Sequence, residues 1–519
     1  MLNLATLLES SARKRPNHIA VIYNEIKLSY ATVINEAANK VASGLVDLGI
    51  QPGDKIALSC LNLPYFPIVY YGILKAGAVV VPLNVLLKPR EIAYHLKSSD
   101  AKAYFCFEGT KNLPMGKTGW EGFNETATCD HFIIMTADPA APSPIDGADT
   151  SGKLIHNKPP VFPTVQTNSS DDTAVIMFTS GTTGQPKGAE LTHLNMVFNA
   201  RLSDTMYETH PDDVHLITLP LFHSFGQSLQ MNAVFYNGAT ITLLPRFNPD
   251  AAFSIMQRDN VTFFAGVPTM YWALLNHPEA EKYNLDKIYK TLRYSVSGGS
   301  PMSLEVMKAF NEKFHIKILE GYGLSETSPA ASFNRINRES KAGSVGLPVW
   351  GVQIRIVSEK DEDVPQGELG ELIIQGHNVM KGYYKKPSET KEAFKNGWFH
   401  TGDIGRFDED GYIYIVDRVK DIIIRGGFNV YPREIEEILL SHPDISIAAV
   451  IGVPDDRYGE EIKAFVVRKK GAESTEEKIR LWARENMAAY KYPRQIDFRD
   501  TLPMSATGKI LKKELKQKH

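Results

Sequence analysis

Short apolar runs separated by amphipathic stretches fill most of the first 330 residues, and this alternation constrains the fold more than any other feature. KIALSC at 55–60 is followed by YFPIVYYGILKAG at 65–77 and then by VVVPLN at 79–84. A short apolar run bounded by turns suits a buried strand, and the amphipathic stretch after it suits the helix that returns the chain. The pattern therefore predicts βα units and mainly parallel sheets. Around 115–163 it lapses into Ala-Pro and Ser-Pro steps and small polar residues, which predicts loops and excursions between two α/β halves. From Gly343 to Ile415 short strands and turns take over, as in VQIRIVSE and GELGELIIQG, and predict a β-rich subdomain. A boundary is expected near DRVKDIII at 417–424. Beyond it, a helix at about Pro432–Ser441, strands at SIAAVIGV and EIKAFVVR, and a helix from about Thr475 make up a small separate domain.

With 519 residues, 43% hydrophobic and 23% charged, the chain has the make-up of a soluble globular protein of several domains. The formal charge of -3 argues against a basic nucleic-acid footprint. It conceals an asymmetry: from Arg468 to His519 there are 14 Lys/Arg against 7 Asp/Glu, so the rest of the chain is acidic. Three widely spaced cysteines, Cys60, Cys106 and Cys129, form no CxxC pair, which fits a reducing compartment. The first residues lack the order of a secretory signal, and the apolar stretch Tyr71–Leu87 is broken by Lys75 and Pro82. A cytoplasmic protein is expected, with peripheral membrane contact and a dimer both left open.

The strongest local signal is TAVIMF at 173–178, a strand-like run leading into TSGTTGQPKG at 179–188 and then a helix start, with Leu191, Thr192 and Met196 placed for a stapled N-cap. Three glycines and five hydroxyl or lysine side chains in ten residues give a loop whose amides and hydroxyls can converge on phosphate oxygens. Pro186 stands where a Walker A loop needs glycine before its lysine. Taken alone, such a loop is more often a plain turn than a phosphate site.

Further blocks follow in order: LPLFHSFG at 219–226, SGGSP at 297–301, EGYGLSET at 320–327, WFHTGD at 398–403, DRVKDIIIRGGFNVYPREIE at 417–436 and PMSATGK at 503–509. Together with the loop they resemble the signature of the adenylate-forming superfamily of acyl-CoA synthetases, luciferases and peptide-synthetase adenylation domains. EGYGLSE, NVMKGYY at 378–384 and GGFNVYPREIE look most like bacterial medium- to long-chain fatty acyl-CoA ligases. The resemblance implies an α/β fold. Its large N-terminal domain, 1–419, holds two α/β sheet subdomains and a distorted-barrel β subdomain, and a small mobile α+β domain spans 420–519.

The resemblance also implies ATP, Mg2+ and coenzyme A as reactants, and it assigns roles. Thr179, Ser180, Gly181, Thr182, Thr183, Gly184 and Lys187 would hold the β- and γ-phosphates. Gly321, Tyr322 and Gly323 would form the adenine slot, with Gly299, Glu320 and Ser325 nearby. Glu326, with Thr182, would reach the metal. Asp403 would accept from the ribose hydroxyls and Arg418 would donate to the same sugar or phosphate. Lys509 would stabilise the charge that develops when a carboxylate attacks the α-phosphorus, a step that needs no general base because the acid is already ionised. Lys420 would be the hinge of a domain rotation that withdraws Lys509, and Gly426, Gly427 and Phe428 would then line the CoA tunnel. His223 would gate the junction of the ATP and acyl pockets.

By the same resemblance Phe222, His223, Phe225, Gln227, Met231, Val267, Met270 and Gly298 would line the acyl pocket. They are mostly apolar and include no Asp or Arg to hold a polar head, which favours a fatty acid over an amino acid. At least half are equally explained as core. Short-chain or aryl acids, a carrier-protein acceptor in place of CoA, and a nucleotide-binding protein on a retained fold are the alternatives. Part of the basic end is expected to form a lid over the triphosphate and CoA phosphates.

Overall fold

The computed structural model describes residues 2–179, 185–506 and 508–516. Its first 418 residues build two large α/β sheets and a smaller antiparallel one. In the first sheet the strands Asp149–Thr150, His131–Met135, Ala101–Phe107, Lys55–Ser59, Val79–Pro82 and Thr173–Thr179 run parallel in that spatial order. Lys187–Thr192 and Gly382–Tyr383 then extend it antiparallel. The second sheet has a parallel centre of Ile19–Tyr23, Thr240–Leu243, Val214–Ile217, Phe263–Gly266, Tyr294–Ser297 and Ile318–Gly323. Antiparallel strands close both of its ends, Ile26–Ser29 at one, Ala330–Phe333 and Leu347–Pro348 at the other. The expected βα alternation is what the chain forms, because strands such as Ile56–Leu58 and Val80–Val81 are fully buried and need helices on both faces.

Two local expectations change. The stretch after Thr179 does not lead straight into a helix: Lys187–Thr192 is a strand paired with Thr173–Thr179, and the helix His193–Arg201 follows it. The cap is as expected, with Thr192 Oγ1 accepting from Asn195 N at 3.2 Å and Asn195 Oδ1 accepting from Thr192 N at 2.8 Å. Leu191 and Met196, both fully buried, complete the staple. Residues 115–163 are likewise more ordered than their composition suggests, holding the helix Met115–Asn124, the strand His131–Met135 and the short helix Ser151–Ile155. Glycines at 116, 119 and 122 hid the helix, yet each lies against a neighbour at a distance only glycine allows.

Lys75, which interrupts the apolar stretch 71–87, is 1% exposed on the helix Tyr65–Lys75 and sits 2.6 Å from Glu9. Removing Glu9 would strand the buried ammonium, at a cost of about 3–5 kcal/mol. Among the described residues, no helix is long and apolar enough to cross a membrane. Cys60, Cys106 and Cys129 are free and buried.

The β-rich subdomain is the antiparallel sheet Val352–Val357, Gly370–Gly376, Trp398–Phe407 and Phe394–Lys395, with Ile413–Arg418 paired to Trp398–Phe407. Leu347–Pro348 and Gly382–Tyr383, expected within it, pair instead with the second and first sheets and tie the subdomain to both. After Arg418 a single turn, Val419–Asp421, leads to a separate unit. There Phe428–Val430, Ile423–Arg425, Gly459–Arg468 and Ile445–Asp455 form an antiparallel sheet that Gln495–Phe498 joins in parallel. The helices Pro432–Leu440 and Glu476–Asn486 pack with this sheet around a core of their own.

Candidate active site

The expected site residues gather where the parallel strands end. Thr179 closes its strand in the first sheet, while His223, Val267, Gly298 and Gly321–Gly323 follow the carboxyl ends of Val214–Ile217, Phe263–Gly266, Tyr294–Ser297 and the parallel part of Ile318–Gly323. Ligands of open α/β sheets bind in that crevice, because the loops there are free to vary without disturbing the core.

One corner is built on Asp403. Strand pairing sets Asp403 opposite Arg418, and the side chains meet at 2.8 Å between Arg418 Nε and Asp403 Oδ1. The Tyr322 hydroxyl donates to Asp403 Oδ2 at 2.7 Å. Asp403 is 2% exposed, so its charge is held by a guanidinium and a phenol and not by bulk water. Burial, with Asp403 beside it, pushes the Tyr322 pKa well above its ordinary value, so the ring remains a neutral donor. The flanking glycines have a reason that the sequence did not disclose. A Cβ on Gly323 would lie 1.7 Å from the Pro329 carbonyl oxygen, and one on Gly321 would lie 2.5 Å from the Phe333 ring. Their bareness lets Ala330–Phe333 pack against this strand, whereas the sequence had suggested room for a base.

A second corner centres on Glu326, in the short turn Ser325–Thr327. Its Oε1 accepts from Thr179 Oγ1 and from the Tyr383 hydroxyl, both at 3.1 Å. Lys187 Nζ lies 5.2 Å from the centroid of the same Tyr383 ring. Three segments remote in sequence thus bring hydroxyls, a carboxylate and an ammonium together at the mouth of the phosphate loop. Ser180, Gly181, Thr182, Thr183 and Gly184 lie outside the described residues. The donors are hard oxygens, and among the described residues no group of three or more His, Cys, Asp or Glu forms a metal cage. That suits Mg2+, which takes one or two carboxylates and completes its shell with phosphate and water. Tyr383 was missed as a site residue, although it stands in the NVMKGYY block that carried part of the resemblance.

Lys509 comes from the small domain. Gly508, at φ +77°, sits so close to the large domain that an added Cβ would meet Thr269 Oγ1 at 2.8 Å and Val267 Cγ2 at 3.0 Å. This seats the loop on the acyl side of the cleft. Lys509 is exposed on the cleft side, and its surroundings still act on it: desolvation first, then Arg418, pull its pKa down to about 8, with Asp403 acting in the opposite sense. His223 feels the same ammonium. Burial first, then Lys509, lower its pKa to about 4, so it is neutral at pH 7, and its Nδ1 accepts from Phe225 N at 3.3 Å.

Of the expected acyl-pocket residues, the structure brings Phe225, Val267, Met270 and Gly298 into one neighbourhood. A Cβ on Gly298 would touch the Phe225 ring at 3.0 Å, and Phe225, Val267 and Met270 share one apolar cluster with Leu229. Gln227 is not among them. It is fully buried, accepts from the Tyr70 hydroxyl at 3.3 Å and donates to the Leu221 carbonyl at 3.2 Å, so its amide serves packing between helices. Met231, with no exposed surface, and Phe222 belong to the other cluster, against the first sheet. Gly299 is an exposed glycine with positive φ, and Ser325 opens the Glu326 turn. The Glu320 carboxylate turns inward: Oε1 accepts from Met302 N at 3.3 Å, Oε2 is buried without a partner among the described residues, and desolvation raises its pKa to about 7. Gly426, Gly427 and Phe428 lie exposed at and beside the turn between two strands of the small domain, with the Phe428 ring stacked on Tyr490 at 4.8 Å. Lys420 is exposed in the single turn between the domains.

The expected basic lid needs correction. Lys512 is held 2.7 Å from Glu436 and Lys491 lies 2.6 Å from Glu434, so both charges are spent within the small domain.

Known proteins resemble this chain along nearly its whole length. The AMP-binding enzyme family matches residues 8–384, and the AMP-binding enzyme C-terminal domain matches 434–509. A long-chain-fatty-acid–CoA ligase of Bacillus subtilis is 36% identical, with 99% of this chain and 94% of that protein covered. A feruloyl-CoA synthase of Amycolatopsis sp is 35% identical over 98% and 97% of the two chains. Among solved structures, ATP-bound MatB from Rhodopseudomonas palustris superposes with a TM-score of 0.90 at 30% identity, covering 100% of this chain and 99% of that one. The chain belongs to the AMP-binding enzyme family of adenylate-forming proteins, and is an AMP-forming acid–CoA ligase that works with ATP, Mg2+ and coenzyme A.

Proposed function

We propose that the acid is a medium- to long-chain fatty acid, activated to acyl-AMP and then transferred to CoA. The observation that carries this reading is the apolar wall of Phe225, Leu229, Val267 and Met270 beside Gly298, which offers no charged partner to a second polar group on the substrate. The similarity to a long-chain-fatty-acid–CoA ligase along nearly the whole chain supports it. The buried free thiols suit the cytoplasm, where we place the reaction.

In the first step the carboxylate oxygen attacks the α-phosphorus of ATP, the bond to the β-phosphate oxygen breaks and pyrophosphate leaves. We assign Thr179–Lys187 to the leaving phosphates, Tyr322 to the base, and Asp403 with Arg418 to the ribose. Mg2+, when bound at Glu326 and Thr182, would neutralise phosphate charge. Lys509 stabilises the pentavalent charge. In the second step the CoA thiolate attacks the acyl carbonyl and AMP leaves. For this the small domain, 420–519, turns about Lys420, Lys509 withdraws, and Gly426, Gly427 and Phe428 approach the acyl-AMP. We assign His223, which is neutral at pH 7 with Lys509 beside it, to the gate between the nucleotide and acyl pockets.

A second reading, an aryl acid, is favoured by the Phe225 ring lying over Gly298 and by the similarity to a feruloyl-CoA synthase. AMP formation measured against acids from acetate to oleate, plus benzoate and coumarate, with and without CoA, separates the two. Saturation by aryl acids or acetate alone overturns the fatty acid reading.

A further inference from the structure

We infer that Asp417 and Arg433 are positioning residues for adenylation: they clasp the small domain across the hinge in the orientation that presents Lys509. This rests on the two-step reading above.

Asp417 lies on the large-domain side of Lys420, near the end of Ile413–Arg418. Its Oδ2 accepts from Arg433 N at 2.9 Å, in the first turn of Pro432–Leu440, and its Oδ1 accepts from Arg418 N at 2.8 Å. Arg433 reaches back, donating from its guanidinium to the Ile415 carbonyl and, at 3.0 Å, to Glu437. The hinge is thus crossed twice, once by a carboxylate on a helix amide and once by a guanidinium on a strand carbonyl. Asp417 is 8% exposed, so its bond to Arg433 is shielded from water. Lys512 attracts it and Asp421 repels it. Lys512 stands three residues beyond Lys509 and is fixed to Glu436, whose Oε1 also accepts from Val450 N at 2.7 Å.

A rotation about Lys420 has unequal consequences for these contacts. Lys512–Glu436 lies wholly within the small domain and travels with it. Asp417–Arg433 and Arg433–Ile415 join the two sides and must break. Contacts present in one orientation and absent in the other shift the balance between them by their own free energy. The clasp therefore favours adenylation and is released for thioester formation.

In single-turnover assays on the full chain, Asp417→Ala lowers acid-dependent pyrophosphate release about 10- to 100-fold. Thioester formation from supplied acyl-AMP and CoA stays level or rises. Asp417→Asn, which keeps an oxygen for Arg433 N, recovers part of the loss, and Arg433→Ala shows a smaller loss in the same direction. In a Lys509→Ala background Asp417→Ala adds nothing to the adenylation defect, because it acts through Lys509. Equal loss of both half-reactions, with Asn as damaging as Ala, overturns the inference in favour of a folding role. Undiminished adenylation by a folded Asp417→Ala overturns it outright. If Lys509→Ala itself spares adenylation, the two-step reading has failed and the inference falls with it.

Discussion

Lys509→Ala should divide the two half-reactions. The ammonium enters a cleft already holding Arg418 and Asp403, and a unit charge about 4 Å from the developing phosphorane charge is worth roughly 4 kcal/mol at an effective dielectric near 20. The variant should lose about three powers of ten in acid-dependent pyrophosphate release. Thioester formation from supplied acyl-AMP should be largely intact, because Lys509 has left by then. The pH profile adds a second readout. The active form is protonated and the free enzyme's Lys509 has its pKa lowered to about 8, so kcat/KM for ATP is level below that pH and falls as pH rises through it. A bound triphosphate favours the charged ammonium, so the fall in the adenylation rate at saturating ATP moves to higher pH. Equal loss of both half-reactions, or a kcat/KM profile that is flat from pH 7 to 10, would refute the assignment.

Gly508→Ala should mimic part of this defect without touching the charge, since its Cβ would press on Thr269 and Val267 at a positive φ. Adenylation should fall at least about tenfold while thioester formation holds, read in the same paired assays. Glu326→Gln should raise the Mg2+ concentration needed for half-maximal adenylation, with Tyr383→Phe having a smaller effect, and a metal titration checks both. Asp403→Asn should raise KM for ATP by about tenfold or more, because the buried charge that holds Arg418 and Tyr322 is gone; steady-state kinetics test it. Glu320 bears on stability. Its folded pKa of about 7 exceeds the ordinary value, so stability is fully present at low pH and is lost as pH rises through 7. Glu320→Gln should flatten that decline, gaining on the wild type by about 1–3 kcal/mol between pH 5 and 8 in denaturant titrations.

How much of this was legible in the sequence differed between parts of the chain for physical reasons. Fully buried parallel strands leave an unmistakable apolar run, so Lys55–Ser59, Val79–Pro82 and Thr173–Thr179 stood out. The strand Lys187–Thr192 did not, because its first residues read as loop glycine and lysine and its last as a helix cap. Asp403 and Arg418 were legible as members of recognisable blocks, yet their direct pairing follows from strand register, which no spacing reveals. Gly321 and Gly323 stand in a recognisable block, and the structure adds a packing reason for them that no spacing reveals, the close approach of Phe333 and Pro329. The resemblance assigns Gln227 and Met231 to the acyl pocket by position alone, whereas successive residues of that helix face different neighbours.

The basic end of the chain shows what charge counting leaves out. Net charge suggests that part of the segment forms a positive lid, but a lid needs charges free to face phosphate, and several are already committed. Lys512 and Lys491 are paired with glutamates, Arg499 lies 3.1 Å from Asp497, and the Arg494 guanidinium is 3.6 Å from the Tyr492 ring centroid. Lys509 differs in kind: the charges that shift its pKa, Arg418, Asp403, Lys420 and Asp421, lie in the cleft and hinge. One mobile charge acting at short range suits a two-step enzyme better than a broad field. A diffuse lid would attract ATP and CoA alike in both orientations and would distinguish neither step, whereas on the proposed reading a single ammonium that docks by Gly508 would contribute only when the domain is set for adenylation. On the two-step reading proposed above, the selectivity between steps would lie in geometry, in the clasp and in the glycine contact, more than in the net charge of the segment.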